Sequence, residues 1–165
     1  PVRYLTVGDP NMKHIMHSFA ILIVILFLSA GCSRALIKAP LAISNDRWHI
    51  SLEQLTAGPD QYNTAGGYWE PKKGKRFIWA IIRIRNDLKT DQQFFLARIM
   101  LWAGEKQVKP FIMDMNSAVT MRANPEPRLK PGETVTRRLI YIVPKGIIPE
   151  KITYEKKELI IPVLL

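Results

Sequence analysis

One cysteine, Cys32, is all that the 165-residue chain contains. A lone thiol excludes an internal disulfide and leaves no cysteine set for structural zinc, so the fold must rest on its apolar core. Histidine is nearly as scarce: of three in the chain, only His49 lies beyond residue 31. A Ser-His-Asp triad would have to use His49, and no glycine-flanked serine elbow accompanies it. Glycine-rich phosphate loops and clustered metal ligands are absent from the sequence, as are internal repeats and any convincing helical period. Thirteen carboxylates follow residue 31, yet no two stand out as an acid and base pair of the glycosidase type. No cofactor is expected.

What is present begins with "MKHIMHSFAILIVILFLSAGC". Lys13 gives a positive start, Phe19 to Leu28 is an unbroken apolar run, and Ser29, Ala30 and Gly31 are small. That order is the layout of a secretory signal peptide. The run is shorter than the roughly 20 residues a membrane-spanning helix needs. Residues 1–11 contain no methionine and do not fit in front of such a peptide. They are expected to be a non-native upstream extension, with Met12 or Met16 as the initiator.

The box Leu28-Ser29-Ala30-Gly31-Cys32 resembles the cleavage box of bacterial lipoprotein signal peptides. The resemblance implies that Cys32 receives a diacylglyceryl group on its sulfur and becomes the new N-terminus. One departure is that Leu, commonest three residues before the cysteine, here stands four before it. A plain signal peptide or an uncleaved signal anchor is the alternative. A single acyl chain binds a membrane only marginally, so a lasting anchor takes two or three. The expected organisation is a signal peptide over residues 12–31, a lipidated tether over 32–46 that docks its "LAI" as an edge strand, and one domain over 47–165.

Removing residues 1–31 takes out Arg3, Lys13 and Asp9, so the formal charge falls only from +10 to +9. The domain is basic, and its pattern is that of strands. "WHISLEQLT" and "RFIWAIIRIRN" alternate apolar and polar residues, the second with Ile78, Ala80, Ile82 and Ile84 on one face and Arg83 and Arg85 on the other. Such alternation suits a sheet with one face buried and one wet. "QQFFLARIMLWAGEKQV" reads as a strand, a turn at Gly104 and a short return. "ETVTRRLIYIVP" is a strand entered through the turn "LKPGE". "KITYEKKELIIPVLL" closes the chain, with Pro162 pointing to a sheet edge. Six to eight short strands with regular turn signals predict an all-β sandwich.

"GGYWEPKKGKRFIWAIIRIRND", "FFLARIMLWAGEK" and "LKPGETVTRRLIYIVPKG" are similar, in that order, to the landmarks of a bacterial domain family of unknown function found in exported and lipid-anchored proteins. The similarity covers about residues 47–157 and leaves "FIMDMNSAVTMRANPEP" unaligned. It implies an immunoglobulin-like β-sandwich of the kind seen in a mycobacterial immunoprotective extracellular antigen. It implies no catalytic residue.

Two clusters remain. Met100, Met113, Met115 and Met121, with His49, could offer soft ligands to Cu(I), although methionine more commonly fills gaps in a core. "KKGKR", together with Arg83, Arg85, Lys130, Arg137, Arg138 and Lys156, reads either as a solvated face or as a cationic surface. The candidate surface for an anionic partner is Lys72, Lys73, Lys75 and Arg76, with Tyr68 and Trp69 beside it. Its partner would be lipid headgroups, an envelope polymer or an acidic protein; nucleic acid is not expected. The function expected is that of a non-catalytic exported lipoprotein. It would be held to the membrane through Cys32, in the outer membrane facing the periplasm or on the outer face of the cytoplasmic membrane. The alternatives are an envelope hydrolase acting on cell-wall or lipid material and a Met-based Cu(I)-binding periplasmic protein.

Overall fold

The computed structural model describes residues 41–117 and 120–161; Cys32, the apolar run before it and Pro162 lie outside them. In chain order the strands are β1 (Leu41–Ser44), β2 (Trp48–Ala57), β3 (Tyr62–Thr64), β4 (Gly67–Trp69), β5 (Lys75–Asn86), β6 (Gln92–Gln93) and β7 (Ile99–Ala103). They continue with β8 (Lys106–Val108), β9 (Ile112–Asp114), β10 (Arg128–Leu129), β11 (Thr134–Pro144), β12 (Pro149–Tyr154) and β13 (Lys157–Ile160). One 3-10 turn, Leu96–Arg98, interrupts them, and there is no α-helix among the described residues.

Two antiparallel sheets form the sandwich: a five-stranded one in the order β1-β2-β5-β11-β9 and a four-stranded one in the order β13-β12-β7-β8. Short ribbons, β3 with β4 and β6 with β10, complete it. The fold is the all-β sandwich expected from the alternation. It holds more strands than the six to eight anticipated, because two- and three-residue strands are too short to show a period. Leu41–Ser44, assigned above to the tether, is the edge strand of the larger sheet and pairs with β2 from Leu52 to His49.

The inward face of β5 carries Ile78, Ala80, Ile82 and Ile84, all fully buried, while Arg83 and Arg85 face solvent. In β2 the residues Ile50, Leu52 and Leu55 all enter the core, although Leu52 and Leu55 break strict alternation. The reason is a bulge: Leu52 pairs with Ile82 but Gln54 with Ile81, so Glu53 is an extra residue that resets which side faces in. Phe94 bridges the sheets, stacked on Tyr154 at 4.6 Å and edge-on to Trp48 at 4.8 Å. Its placement explains why "QQFFLARIMLWAGEKQV" is not one strand. Phe94 and Leu96 donate backbone bonds to Pro127 and Pro125 as the chain crosses between layers, and only then does β7 begin.

Polar groups close the far end. Asn86 is fully buried, and its Nδ2 donates to the carbonyls of Thr90 (2.8 Å) and Leu129 (3.0 Å) while its Oδ1 accepts from Leu88 N–H. Every side-chain hydrogen-bonding group of a buried amide is thereby used, which is what burial demands. Tyr141 O–H crosses the core to the Ile99 carbonyl at 3.0 Å and ties the two sheets directly; its burial pushes the phenol pKa up.

Because successive side chains on a strand face opposite sides, neighbouring substitutions on β5 should differ sharply. Ile82→Ala is expected to destabilise the fold by about 2–5 kcal/mol and Arg83→Ala by about 0.5 kcal/mol or less, as read by urea unfolding.

Candidate functional site

The outer face of the large sheet is wet only at its Arg83–Arg85 end. Nearer the start of β5 it carries Phe77 and Trp79, with Ile140 and Ile142 beside them on β11, and the chain from Gly58 onward covers them with Tyr62. Here the expectation of one wet face fails. Phe77 is as completely buried as the inward isoleucines, because the β3–β4 hairpin supplies the second layer.

This covered patch holds one charged pair. Asp114, on β9, is opposite Arg138 on β11, so their side chains leave the sheet on the same side. Arg138 Nε donates to both carboxylate oxygens, at 2.8 and 3.1 Å. Tyr62 O–H donates to Oδ2 at 3.2 Å and Asn116 N–H to Oδ1 at 2.8 Å. Asp114 is 1% exposed and Arg138 17%. With four donated bonds on two oxygens, the carboxylate exchanges its hydration shell for fixed donors, which makes so deep a charge tolerable. Burial raises the Tyr62 phenol to about 12, helped by the charge of Asp114 and the bond to it, and opposed by Arg138 and Arg122.

The Arg138 guanidinium lies over Trp79, 4.6 Å from the ring centroid. Gly58 passes the indole so closely that a Cβ there would stand 2.3 Å from the ring. Only a residue without Cβ lets the chain turn from β2 into the covering hairpin at this point. Above the pair opens a recess of about 620 Å³, lined among others by Asp60, Gln61, Tyr62, Glu70, Trp79 and Arg138. Asp60 and Glu70 stand exposed at its rim, and Glu70 accepts a bond from Gln61 at 2.6 Å.

Of the basic residues singled out from the sequence, Lys72, Lys73 and Lys75 are exposed in the turn before and at the start of β5. Arg76 differs: it is half-buried, and its Nη2 donates to the Ile147 carbonyl at 2.9 Å. It ties two turns together where the lysines stand free. Arg137 and Arg138 do not lie on a solvated face. Arg138 holds Asp114, and Arg137 is half-buried on the inward side opposite Ile82, its pKa lowered by that burial against the raising influence of Glu133. Lys145 was not singled out, yet its backbone N–H donates to the Gly74 carbonyl and places it beside the lysine turn. The sequence signal for it was "VPKG", a turn ending the partner strand of β5.

The soft-ligand set is dispersed. Met113 packs against the inter-sheet core and Met100 sits on β7 of the other sheet, while His49 shares a 2.7 Å hydrogen bond with Ser44 at the edge of the large sheet. Met115 and Met121 alone are neighbours, through a backbone bond of 3.0 Å, and both are exposed. No group of three or more His, Cys, Asp and Glu side chains suited to a metal occurs among the described residues.

No family model matches the chain, and no curated protein does. The resemblance to the exported-domain family and the mycobacterial antigen therefore has no family-level support. Among solved structures, a conserved hypothetical protein from Bacillus anthracis superposes with a TM-score of 0.59 at 15% identity, over 81% of this chain and 100% of that one. An uncharacterized β-sandwich protein from Clostridium difficile gives 0.49 at 13% identity, over 74% of this chain and 89% of that one. A candidate lipoprotein from Bacillus subtilis gives 0.47 at 14% identity, over 73% of this chain and 36% of that one. The first establishes a shared fold and nothing about activity; the other two fall below the level at which a likeness is informative.

Two outcomes test the polar cluster. Asp114→Ala strands the Arg138 charge and should destabilise by about 3 kcal/mol. Asp91→Ala, which removes the partner of Arg128 in an exposed 3.3 Å pair, should change stability by less than about 1 kcal/mol. In alkali, Tyr62 and Tyr154, both raised to about 12, hold their protons in the folded state above the ordinary tyrosine value of 10.0. Their contribution is complete below pH 10 and is lost as pH rises through about 12. Urea unfolding over that window should show the loss, and it should be shallower in Tyr62→Phe.

Proposed function

We propose that this chain is an exported lipoprotein of the cell envelope, anchored through acyl chains on Cys32, whose β-sandwich acts by binding and not by catalysis. The observation that carries the proposal is the position of Cys32. It follows an unbroken apolar run and three small residues, with only eight residues between it and Leu41, where β1 enters the sheet. Acyl chains on a cysteine so placed in the sequence would hold the domain close to a membrane. The anchored domain faces either the periplasm from the outer membrane or the outside from the cytoplasmic membrane.

Binding is preferred over hydrolysis because of the surroundings of the recess carboxylates. Asp60 and Glu70 stand exposed at the rim, Glu70 accepting from Gln61, and the deeply buried Asp114 is saturated with donors. The cationic surface of Lys72, Lys73 and Lys75 supports an anionic partner: headgroups, an envelope polymer or an acidic protein.

Cys32→Ser removes the sulfur that would carry the thioether. Metabolic labelling with a palmitate analogue should mark the natural protein and leave the variant unmarked. Equal labelling of both, or of neither, ends the lipoprotein reading.

A further inference from the structure

Where β5 begins and β11 ends, two turns lie side by side. Lys75 pairs with Pro144, Lys145 N–H donates to the Gly74 carbonyl at 2.9 Å, and Arg76 Nη2 donates to the Ile147 carbonyl at 2.9 Å. These bonds join residues 72–75 and 145–148 into one tip. Lys72, Lys73, Lys75 and Lys145 are all exposed on it, and among the described residues none of them enters an ion pair. The nearest carboxylates along the chain are Glu70, which accepts from Gln61, and the exposed Glu150.

The second turn carries the chain from one sheet to the other, and it does so with two isoleucines in water. Ile147 is 36% exposed and Ile148 47%, while the next residue, Pro149, is buried. Three residues before Lys72, Trp69 meets Phe111 edge-to-face at 5.6 Å, and these rings are 46% and 45% exposed. Exposed aliphatic and aromatic groups ringed by lysines are the combination that suits a lipid interface, where apolar tips enter the headgroup boundary and lysine stems reach phosphates.

We propose that this tip seats on an anionic lipid bilayer, with Lys72, Lys73, Lys75 and Lys145 against the headgroups and Ile147 and Ile148 within the interface; the inference rests on the lipid-anchor reading above. An acidic protein or polymer would satisfy the lysines and leave the isoleucines in water, whereas a bilayer satisfies both. The anchor's reach agrees. β1 runs from the level of Leu52 toward His49, away from the tip, and Leu52 pairs with Ile82, seven residues along β5 from Lys75. That distance is about 23 Å of strand, and residues 33–40 extend up to about 28 Å. Acyl chains on Cys32 and the tip can therefore meet the same bilayer.

The test uses the mature protein taken from membranes and reconstituted into vesicles of phosphatidylcholine alone or mixed with phosphatidylglycerol. An environment-sensitive fluorophore is attached at Ile148→Cys or, as a control at the far end of β5, at Lys89→Cys. The probe at 148 should blue-shift in the anionic vesicles and the probe at 89 should not. Changing all four lysines to Gln, or raising salt to about 1 M, where the screening length is about 3 Å, should reverse the shift. A probe at 148 that stays aqueous in anionic vesicles, or that shifts no more than the one at 89, overturns the proposal. Flotation on the neutral vesicles reads the anchor separately. Protein that floats with an aqueous probe at 148 ends the tip and keeps the anchor. Protein that fails to float on neutral vesicles ends the anchor, and the lysine-dependent shift on anionic ones still decides the tip.

Discussion

Eleven consecutive residue pairs join Lys75–Pro144 to Arg85–Thr134 along β5 and β11, and the rest of the molecule is arranged around that ladder. Both strands are central in the five-stranded sheet, and over the half that carries Phe77, Trp79, Ile140 and Ile142 they are covered on both sides. One face packs on the second sheet and the other on the β3–β4 hairpin. A register slip by one residue would exchange the two apolar sets, and it would also move Arg138 away from Asp114. Register, core and ion pair are therefore one constraint.

The same ladder distributes the charge. Arg83 and Arg85 stand exposed where no second layer covers the sheet, and their pairs with Glu53 and Asp87 contribute little to stability. Arg138, on the covered half, had to be paired, and β9 brings Asp114 to it while Tyr62 closes the carboxylate from above. The lysines collect at the end of the ladder, where β5 and β11 leave the sheet and their two turns, bonded to each other, are exposed. Opposite chemistry at the two places follows from how much layer lies over each.

Much of this was legible residue by residue. The inward set Ile78, Ala80, Ile82, Ile84 follows from alternation, and the turn at Gly132, φ +71°, with Lys130 N–H bonded to the Glu133 carboxylate, is what "LKPGE" promised. The lysine turn could be seen as well, but the separate fate of Arg76 could not. The carbonyl that holds it belongs to Ile147, seventy-one positions away. Glu53 as a bulge left no mark either, since an extra residue in a strand reads as a flaw in the period until its partner strand is known.

What the sequence determined by itself is whatever depends on neighbours along the chain. That includes strand character, the face β5 turns inward, the turns at glycine, and the apolar run, small residues and cysteine ending at Cys32. Tertiary structure decided what depends on neighbours across it. Asp114 and Arg138 are twenty-four positions apart, Tyr62 and Asp114 fifty-two, and the turns of the lysine tip about seventy. No local pattern encodes these meetings. The free energy that selects them comes from burying a particular set of apolar faces together, and the charged groups are then placed by how much water that burial leaves around each one.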